Sequence, residues 1–211
     1  MGVISKFERD FERATHIFPK LKYRKVSKAN MWVVSGEIDI CDKVGCFWET
    51  FSVAIYVPIS YPYCKPTVRE ISNIIPRSEN WHINDNGECC VDIEHNLLIY
   101  KKRGFNILDF IKNKVYPYFA NQVFKEKSGE YAAGEYQHYF DGIRQFYREK
   151  LNIKSDILQK LITNKLPSRN ELCICGKKKY KYCHLKSIEF LRSLPLERLK
   201  KDMDEFSNLI V

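Results

Sequence analysis

A thirteen-residue segment in the middle of the chain, Trp81–Ile93, combines side chains suited to acyl-transfer chemistry. It contains a histidine, two asparagines, a glycine turn and two adjacent cysteines, Cys89 and Cys90. A cysteine thiolate on a fixed turn is a strong nucleophile, and nearby amide donors can stabilise an oxyanion. Two vicinal cysteines also fit a redox pair, a metal site or inert packing. The segment alone therefore leaves these alternatives open.

A second group of reactive side chains lies close to the C-terminus. Its members form two close pairs of soft metal ligands, Cys173/Cys175 and Cys183/His184. Thiolates and imidazole suit Zn²⁺, and four such ligands fill a tetrahedral shell with no open position. A segment this short has no apolar core, so metal binding would supply its folding free energy, about 10–16 kcal/mol in zinc peptides. We therefore predict a structural zinc site, with free thiols as the alternative.

Composition sets the class of protein. The chain has 211 residues, of which 45% are hydrophobic, enough for one ordinary domain and a small second module. The net charge of +9 fits either a functional basic patch or a merely solvated surface. No signal peptide and no apolar run of about 20 residues is present, which predicts a cytoplasmic protein that does not span a membrane. The eight cysteines are then expected to be reduced, catalytic or metal-bound.

Hydrophobic periodicity predicts an α+β fold in which an antiparallel β-meander is flanked by helices. Residues 5–20 have the pattern of an amphipathic helix with Ser5 as its N-cap. The predicted strands are Met31–Ile40, Cys46–Val57 and Val68–Ile71. Helical patterns follow over residues 104–115, from about Gly134 to Leu151, and from about Pro195.

Three short motifs in the first 150 residues occur in an order that is typical of a known protein family. They are Tyr61-Pro62 with Pro66-Thr67-Val68, then His82-Ile83-Asn84, then the run from Gly87 to Ile93. Together with the element order, they resemble the ubiquitin-conjugating enzyme (UBC-like) family over roughly residues 1–150. The spacing from histidine to cysteine is two residues shorter than in eukaryotic members. It resembles that of prokaryotic members in bacterial antiphage conjugation operons, the type II CBASS and ubiquitin-like Bil systems.

The resemblance implies roles for individual residues. Cys90 falls on the cysteine that carries the thioester, and Cys89 falls on a buried aliphatic position. Asn84 matches the amide that stabilises the oxyanion. His82 is expected to orient the loop through hydrogen bonds from its side chain to the backbone, with a general-base role as the alternative. The residue that activates the acceptor amine is not chosen by the sequence, although Glu94 and His95 are close to the cysteine.

The C-terminal cysteine cluster resembles a zinc-binding motif known as SEC-C. Matching positions comprise Arg169, Asn170, Cys173, Cys175, Gly176, Lys178, Lys179, Tyr180, Lys181, Cys183 and His184. The chain lacks one residue of the Gly-Ser-Gly turn of that motif. The resemblance implies a small zinc module for protein or nucleic-acid contacts.

These inferences predict four segments: a UBC-like catalytic domain (1–151), a linker (152–168), a SEC-C zinc motif (169–186) and a terminal helix (187–211). The predicted activity is acyl transfer. Cys90 accepts the C-terminus of a ubiquitin-like protein, or of a CD-NTase-type protein, from an activating enzyme and passes it to an amine on a protein target. Two alternatives remain: an inactive binding module of the same fold, and a zinc-dependent nucleic-acid adaptor suggested by the net charge and by Lys177–Lys181.

Overall fold

The computed structural model of the chain describes residues 4–132, 139–163 and 165–207. The chain divides into two compact units, Met1–Glu135 and Tyr136–Val211. In the described residues, no helix is both long and apolar enough to cross a membrane.

The first unit begins with an amphipathic helix, α1 (Lys6–Thr15), that a capping box starts. The hydroxyl of Ser5 accepts a hydrogen bond from the amide of Glu8, and the Glu8 carboxylate accepts one from the amide of Ser5. Phe7 and Phe11 bury the apolar face of this helix in the core. The N-cap prediction is confirmed, whereas the helix ends at Thr15 rather than near residue 20.

A four-stranded antiparallel sheet in the order β1-β2-β3-β4 forms the centre of this unit. Its strands are β1 (Lys22–Val26), β2 (Met31–Cys41), β3 (Phe47–Pro58) and β4 (Thr67–Glu70). Alternate residues of β3 are buried, as the alternating pattern predicts, because side chains of a strand point to opposite faces in turn. The predicted α+β meander is thereby confirmed. Strand β1 was not predicted, because four of its five residues are exposed and its pattern is basic rather than alternating.

Helices cover the buried face of the sheet. After α2 (Glu94–Arg103) come α3 (Ile107–Phe110), a π-helical turn (Ile111–Val115) and α4 (Tyr116–Ser128). The side chain of Asn106 accepts hydrogen bonds from the amides of Leu108 and Asp109 and so caps α3. The ring of Phe119 on α4 stacks at 4.8 Å on that of Phe51 on β3, which joins helix and sheet in one core.

The second unit is helical around a short irregular segment. Its helices are α5 (Tyr139–Phe146), extended by a π-helical turn to Leu151, then α6 (Ser155–Ile162), α7 (Leu185–Leu191) and α8 (Leu196–Ser207). Buried Tyr147 donates a 2.8 Å hydrogen bond to Asp202 of α8, which is itself fully buried. The irregular segment between α6 and α7 contains the cysteines and the histidine of the C-terminal cluster.

The chain divides at Glu135, earlier than the predicted end of the first domain at residue 151. The reason is non-local packing, since the extension of α5 carries Tyr147, whose partner lies on α8. Residues 152–168, predicted as a linker, contain α6, in which Ile157, Leu158 and Leu161 are buried. Helix α7 also runs across the predicted limit of the zinc motif at residue 186. Gly134 and Tyr136 of the predicted helix from about Gly134 to Leu151 lie outside the described residues.

Candidate active site and candidate metal centre

The segment that contains Cys90 is a short antiparallel hairpin. The amide of Cys90 donates to the carbonyl of His82 over 2.8 Å, and the amide of Asn84 donates to the carbonyl of Glu88 over 3.0 Å. Between these bonds Ile83 pairs with Cys89. Paired residues share a face, and faces alternate along each arm. If the side chains of Ile83 and Cys89 point into the core, those of the residues before and after them in each arm lie on the solvent side.

Burial of the side chains agrees with this alternation. Ile83 is 2% exposed and Cys89 is 6% exposed, whereas Asn84 and Cys90 are exposed. The two adjacent cysteines thus occupy opposite environments. Cys89 packs in the core, whereas Cys90 is an exposed residue that lies opposite His82 in the hairpin.

The second arm of the hairpin is attached to the edge of the sheet. The amide of Cys89 donates to the carbonyl of Val68 over 2.8 Å, and the amide of Glu70 donates to the carbonyl of Gly87 over 2.9 Å. Gly87 has a φ of +76°, and a Cβ at this position would lie 2.5 Å from the Glu70 carbonyl oxygen. Glycine is required here because the backbone is left-handed and the neighbouring strand is close.

A buried ion pair supports the same edge of the sheet. The Glu70 carboxylate, 1% exposed as a residue, lies 2.5 Å from a guanidinium nitrogen of Arg77. Arg77 also donates to the Glu70 carbonyl over 3.0 Å and to Asn73 over 2.7 Å. The Ser72 hydroxyl bonds to the same carboxylate. The loop that leads to the hairpin is thereby fixed to β4.

Helix α4 holds the first arm from the other side. The hydroxyl of Tyr118 lies 3.2 Å from the carbonyl oxygens of both Trp81 and His82, and the side-chain amide of Gln122 donates to the Trp81 carbonyl over 3.2 Å. Tyr118 and Gln122 are both buried. Buried donors of this kind specify one backbone position, because an unpaired buried polar group is costly.

Asn84 has a structural task that its sequence position did not reveal. Its side-chain oxygen accepts hydrogen bonds from the amides of Asn86 (3.0 Å) and Glu88 (2.9 Å), which closes the tip of the hairpin. Its side-chain nitrogen makes no hydrogen bond among the described residues, and the residue is exposed. The turn therefore engages the acceptor of this amide and leaves the donor end available.

His82 contributes to the hairpin through its backbone. It has a left-handed conformation with φ of +49°, donates its amide to the Glu79 carbonyl over 2.8 Å and offers its own carbonyl to Cys90 and Tyr118. Its ring lies 5.5 Å from the ring of Tyr131. These main-chain bonds hold the loop, and the ring lies against an aromatic neighbour. The expected bonds from the His82 side chain to the backbone stay a prediction.

The two thiols differ in their electrostatic surroundings. Burial raises the pKa of the Cys89 thiol to about 12. Desolvation of its sulfur by surrounding atoms, reinforced by the charge of Glu88, also raises the pKa of Cys90 above its ordinary value, and Lys65 partly offsets this shift. Cys90 is thus the accessible thiol, and its thiolate is not preformed by the residues around it.

The acidic and basic residues that follow the cysteines are mostly engaged. The Asp92 carboxylate lies 2.6 Å from the Lys114 ammonium and accepts a hydrogen bond from the Asn96 side chain. Glu94, at the start of α2, lies 3.6 Å from Lys65 and remains partly exposed. His95 is fully buried, so an incoming amine cannot reach its ring directly.

The C-terminal cluster gathers the four predicted ligands around one point. The sulfur atoms of Cys173 and Cys183 lie 3.2 Å and 3.3 Å from Nδ1 of His184, and those of Cys175 and Cys183 are 3.4 Å apart. All four ligand atoms are within 4.8 Å of one another. Ligands of one tetrahedral zinc ion would lie roughly 3.5–4 Å apart, so the arrangement fits a single metal ion.

The surrounding backbone orients these ligands. Nε2 of His184 lies 2.6 Å from the carbonyl of Asn152, which selects Nδ1 as the atom that faces the thiols. Gly176, with φ of +75°, donates its amide to the Cys173 carbonyl over 2.7 Å and closes the turn between the first ligands. Burial raises the pKa of Cys175, but the amide of Lys177 and the neighbouring thiols lower it overall. The shorter turn therefore still allows the four side chains to converge.

Sequence reasoning proposed Cys90 and the four residues of the cluster as site residues, but not the residues that position them. Tyr118, Gln122 and Asn152 lie far along the chain from the groups that they hold. Their contacts are non-local, and no spacing pattern marks them. Glu70 and Arg77 did have a local signal in the sequence, since they are an acidic and a basic residue only seven positions apart.

Comparisons with known proteins add little to this geometry. No family model matches the chain, and no curated protein matches it. Among solved structures, it is similar to the yeast Vps23 UEV domain in complex with a Vps27 PSDP peptide. The TM-score is 0.38 at 17% identity, over 55% of this chain and 78% of that one. This likeness assigns neither a family nor an activity.

Proposed function

We propose that the first unit is a ubiquitin-conjugating-like acyl carrier with Cys90 as its nucleophile. One observation carries the proposal: Cys90 is exposed on a hairpin whose other face is buried, and the unengaged amide nitrogen of Asn84 lies on the same side. A fixed, accessible thiol beside an amide donor is what reversible acyl transfer requires. The order of motifs in the sequence adds the ubiquitin-conjugating family as the specific hypothesis.

The reaction proceeds by two acyl exchanges. The Cys90 thiolate attacks the thioester of a protein C-terminus on an activating enzyme, and the thiolate of that enzyme leaves. A target amine then attacks the new thioester, forms an amide bond and expels the Cys90 thiolate. In both steps negative charge develops on the carbonyl oxygen, where the Asn84 amide nitrogen would donate. The amine must also lose a proton. Partly exposed Glu94 is the better candidate for its acceptor, because His95 is buried.

The acyl donor is a ubiquitin-like protein or the C-terminus of a CD-NTase-type protein, and the setting is bacterial antiphage defence. These assignments rest on the shortened histidine-to-cysteine spacing, which the hairpin accommodates by direct pairing of His82 with Cys90. We also propose that the cysteine–histidine cluster binds a structural Zn²⁺ as a SEC-C module. Three thiolates and Nδ1 of His184 would hold the ion, with no position open for catalysis.

The test uses the cognate activating enzyme and carrier protein, with ATP. Wild type should form an adduct that excess thiol removes. Cys90→Ser should form a thiol-resistant ester, and Cys90→Ala should form no adduct. Cys89→Ala is the matched control, because the buried neighbour is expected to be dispensable for loading. An adduct that survives Cys90→Ala and is lost in Cys89→Ala would overturn the assignment.

A second candidate is a non-catalytic binding module of the same fold. The observation that favours it is the raised pKa of Cys90, which leaves the resting thiol protonated at neutral pH. This hypothesis predicts no adduct with any activating enzyme, even when Asn84 and Cys90 are intact. It also predicts unchanged partner binding in Cys90→Ala.

A further inference from the structure

A basic and aromatic surface on the cysteine–histidine loop has no part in the proposed acyl transfer. We define this knuckle surface by Lys177, Lys178, Lys179, Lys181 and Tyr182. Tyr182 is 72% exposed. We infer that the knuckle surface binds single-stranded nucleic acid, with lysines on phosphates and Tyr182 against a base.

The backbone holds the knuckle surface in a fixed shape. The amide of Cys173 donates to the carbonyl of Lys178 over 2.8 Å, and Leu172 pairs with Lys179 across the loop. The amide of Lys181 donates to the carbonyl of Arg169 over 3.1 Å. The lysines therefore project from a closed turn rather than from a loose strand of chain. A fixed turn loses less conformational entropy on binding.

The charge of this segment is strongly one-sided. Residues 169–184 carry Arg169 and four lysines against a single acid, Glu171. The Glu171 carboxylate accepts a 2.6 Å hydrogen bond from the amide of Ser168 and so stabilises the backbone of the loop. A bound dication with three thiolates and a neutral imidazole would subtract only one charge. The surface therefore remains attractive to a polyanion with or without the metal.

Tyr182 distinguishes a nucleic acid from other polyanions. The Lys181 ammonium lies 4.9 Å from the centre of its ring, and most of the side chain remains open to solvent. An exposed aromatic ring beside cations is the arrangement on which unpaired bases stack. An acidic peptide offers no planar partner for the ring, and bidentate carboxylate recognition favours arginine over lysine. Bases of a duplex are already stacked, which favours a single strand.

The proposal does not rest on Cys90, and its test can fail independently of acyl transfer. The probe is a fluorescein-labelled oligothymidine or oligouridine of about 20 nucleotides, longer than the site of one small module. Anisotropy titrations use the full-length chain between about 50 and 200 mM salt. Binding should weaken steeply with salt. Tyr182→Ala should weaken it about 5- to 100-fold, whereas Tyr182→Phe should retain most of it.

The lysines are tested by a triple variant with a matched control. Lys177→Ala/Lys178→Ala/Lys179→Ala should reduce the slope of log affinity against log salt by about 0.7 for each phosphate that the variant no longer neutralises. The control removes three cations from the exposed end of α2, Lys101→Ala/Lys102→Ala/Arg103→Ala, and should change the slope little. Metal content and thermal unfolding of each variant confirm that the loop is intact.

Three results would overturn the inference. The first is no binding of either oligonucleotide at the lowest salt. The second is equal binding by wild type and Tyr182→Ala. The third is equal competition by polyglutamate of matched charge, which would make the knuckle surface a general acidic-partner site.

Discussion

The amide of Cys90 donates a 2.8 Å hydrogen bond to the carbonyl oxygen of His82, and the hydroxyl of Tyr118 lies 3.2 Å from the same oxygen. One carbonyl thus joins the proposed nucleophile to the first arm of the hairpin and to helix α4. Both bonds are made to the backbone of His82, so neither involves the imidazole. The short spacing between the two residues is the length that allows them to pair directly.

Substitutions of Asn84 can separate the role of its side-chain oxygen from that of its side-chain nitrogen. Asn84→Ala removes the acceptor of two backbone amides and should lower the free energy of unfolding by about 1 kcal/mol. Asn84→Asp keeps that acceptor but loses the amide donor, so stability and thioester loading should persist. Transfer to an amine should then fall about 10²- to 10³-fold in Asn84→Asp if the nitrogen stabilises the oxyanion. Single-turnover discharge measures this, and an unchanged rate would restrict Asn84 to the turn.

The reactivity of Cys90 should respond in opposite directions to its two charged neighbours. Glu88 disfavours the thiolate and Lys65 favours it. Glu88→Gln should therefore lower the pKa of Cys90 and speed its alkylation at pH below that pKa. Lys65→Gln should raise the pKa and slow alkylation, because less thiolate is present at the same pH. Rates of iodoacetamide labelling of Cys90, measured across pH by peptide mass spectrometry, test whether Glu88→Gln reacts faster and Lys65→Gln slower than wild type.

Cys89 is the internal control for this experiment. Its pKa is about 12 and it is 6% exposed, so it should stay unlabelled under native conditions in wild type, Glu88→Gln and Lys65→Gln. Labelling of Cys89 at the rate of Cys90 would mean that the hairpin opens. A faster rate in Lys65→Gln than in Glu88→Gln would contradict the predicted electrostatics.

Local patterns made part of this structure predictable. The alternation in β3 predicted the buried face of Phe51, Val53, Ile55 and Val57, because the period of a strand is fixed by geometry, but not the burial of Ala54 on the other face. The cysteine–histidine cluster was predictable because its four residues lie in two close pairs along the chain, and the structure brings these pairs together. The N-cap at Ser5 was predictable for the same reason, since its partner Glu8 is three residues away.

Features that depend on distant contacts were not predictable. Strand β1 has a polar pattern, and its Tyr23 joins the aromatic cluster of Phe7, Phe11 and Trp32 only after the chain folds. The early division of the chain depends on Tyr147 and Asp202, which are far apart in sequence. The assignment of Tyr118 to the site has the same origin, because its hydroxyl reaches the Trp81 and His82 carbonyls from another helix.

The Glu70–Arg77 pair should be essential to the stability of the first unit. Arg77→Met would leave a buried carboxylate without its cation, which should lower the free energy of unfolding by about 3–5 kcal/mol. Adding Glu70→Gln removes the unpaired buried carboxylate and should restore part of the lost free energy of unfolding. Urea denaturation of the single and double variants measures both effects.

Exposed Lys43, in the turn between β2 and β3, offers a control. Lys43→Met should change the free energy of unfolding by about 0.5 kcal/mol or less, because it removes a cation from the surface. If the losses in Arg77→Met and Glu70→Gln simply add in the double variant, the two residues are not coupled. Because Arg77 also bonds the Glu70 carbonyl beside Gly87, Arg77→Met should increase labelling of Cys89.

The cysteine–histidine cluster should hold one metal ion per chain after purification without chelators. Cys173→Ser removes a buried ligand and should reduce the metal content to a small fraction, as measured by elemental analysis. Hydrogen exchange should then increase over residues 169–184, because the loop has few buried apolar side chains to hold it. Exposed Cys46 lies outside the cluster, so Cys46→Ser should keep the metal and the protection. Equal losses in the two variants, or a wild-type chain without metal, would exclude a structural metal site at these four ligands.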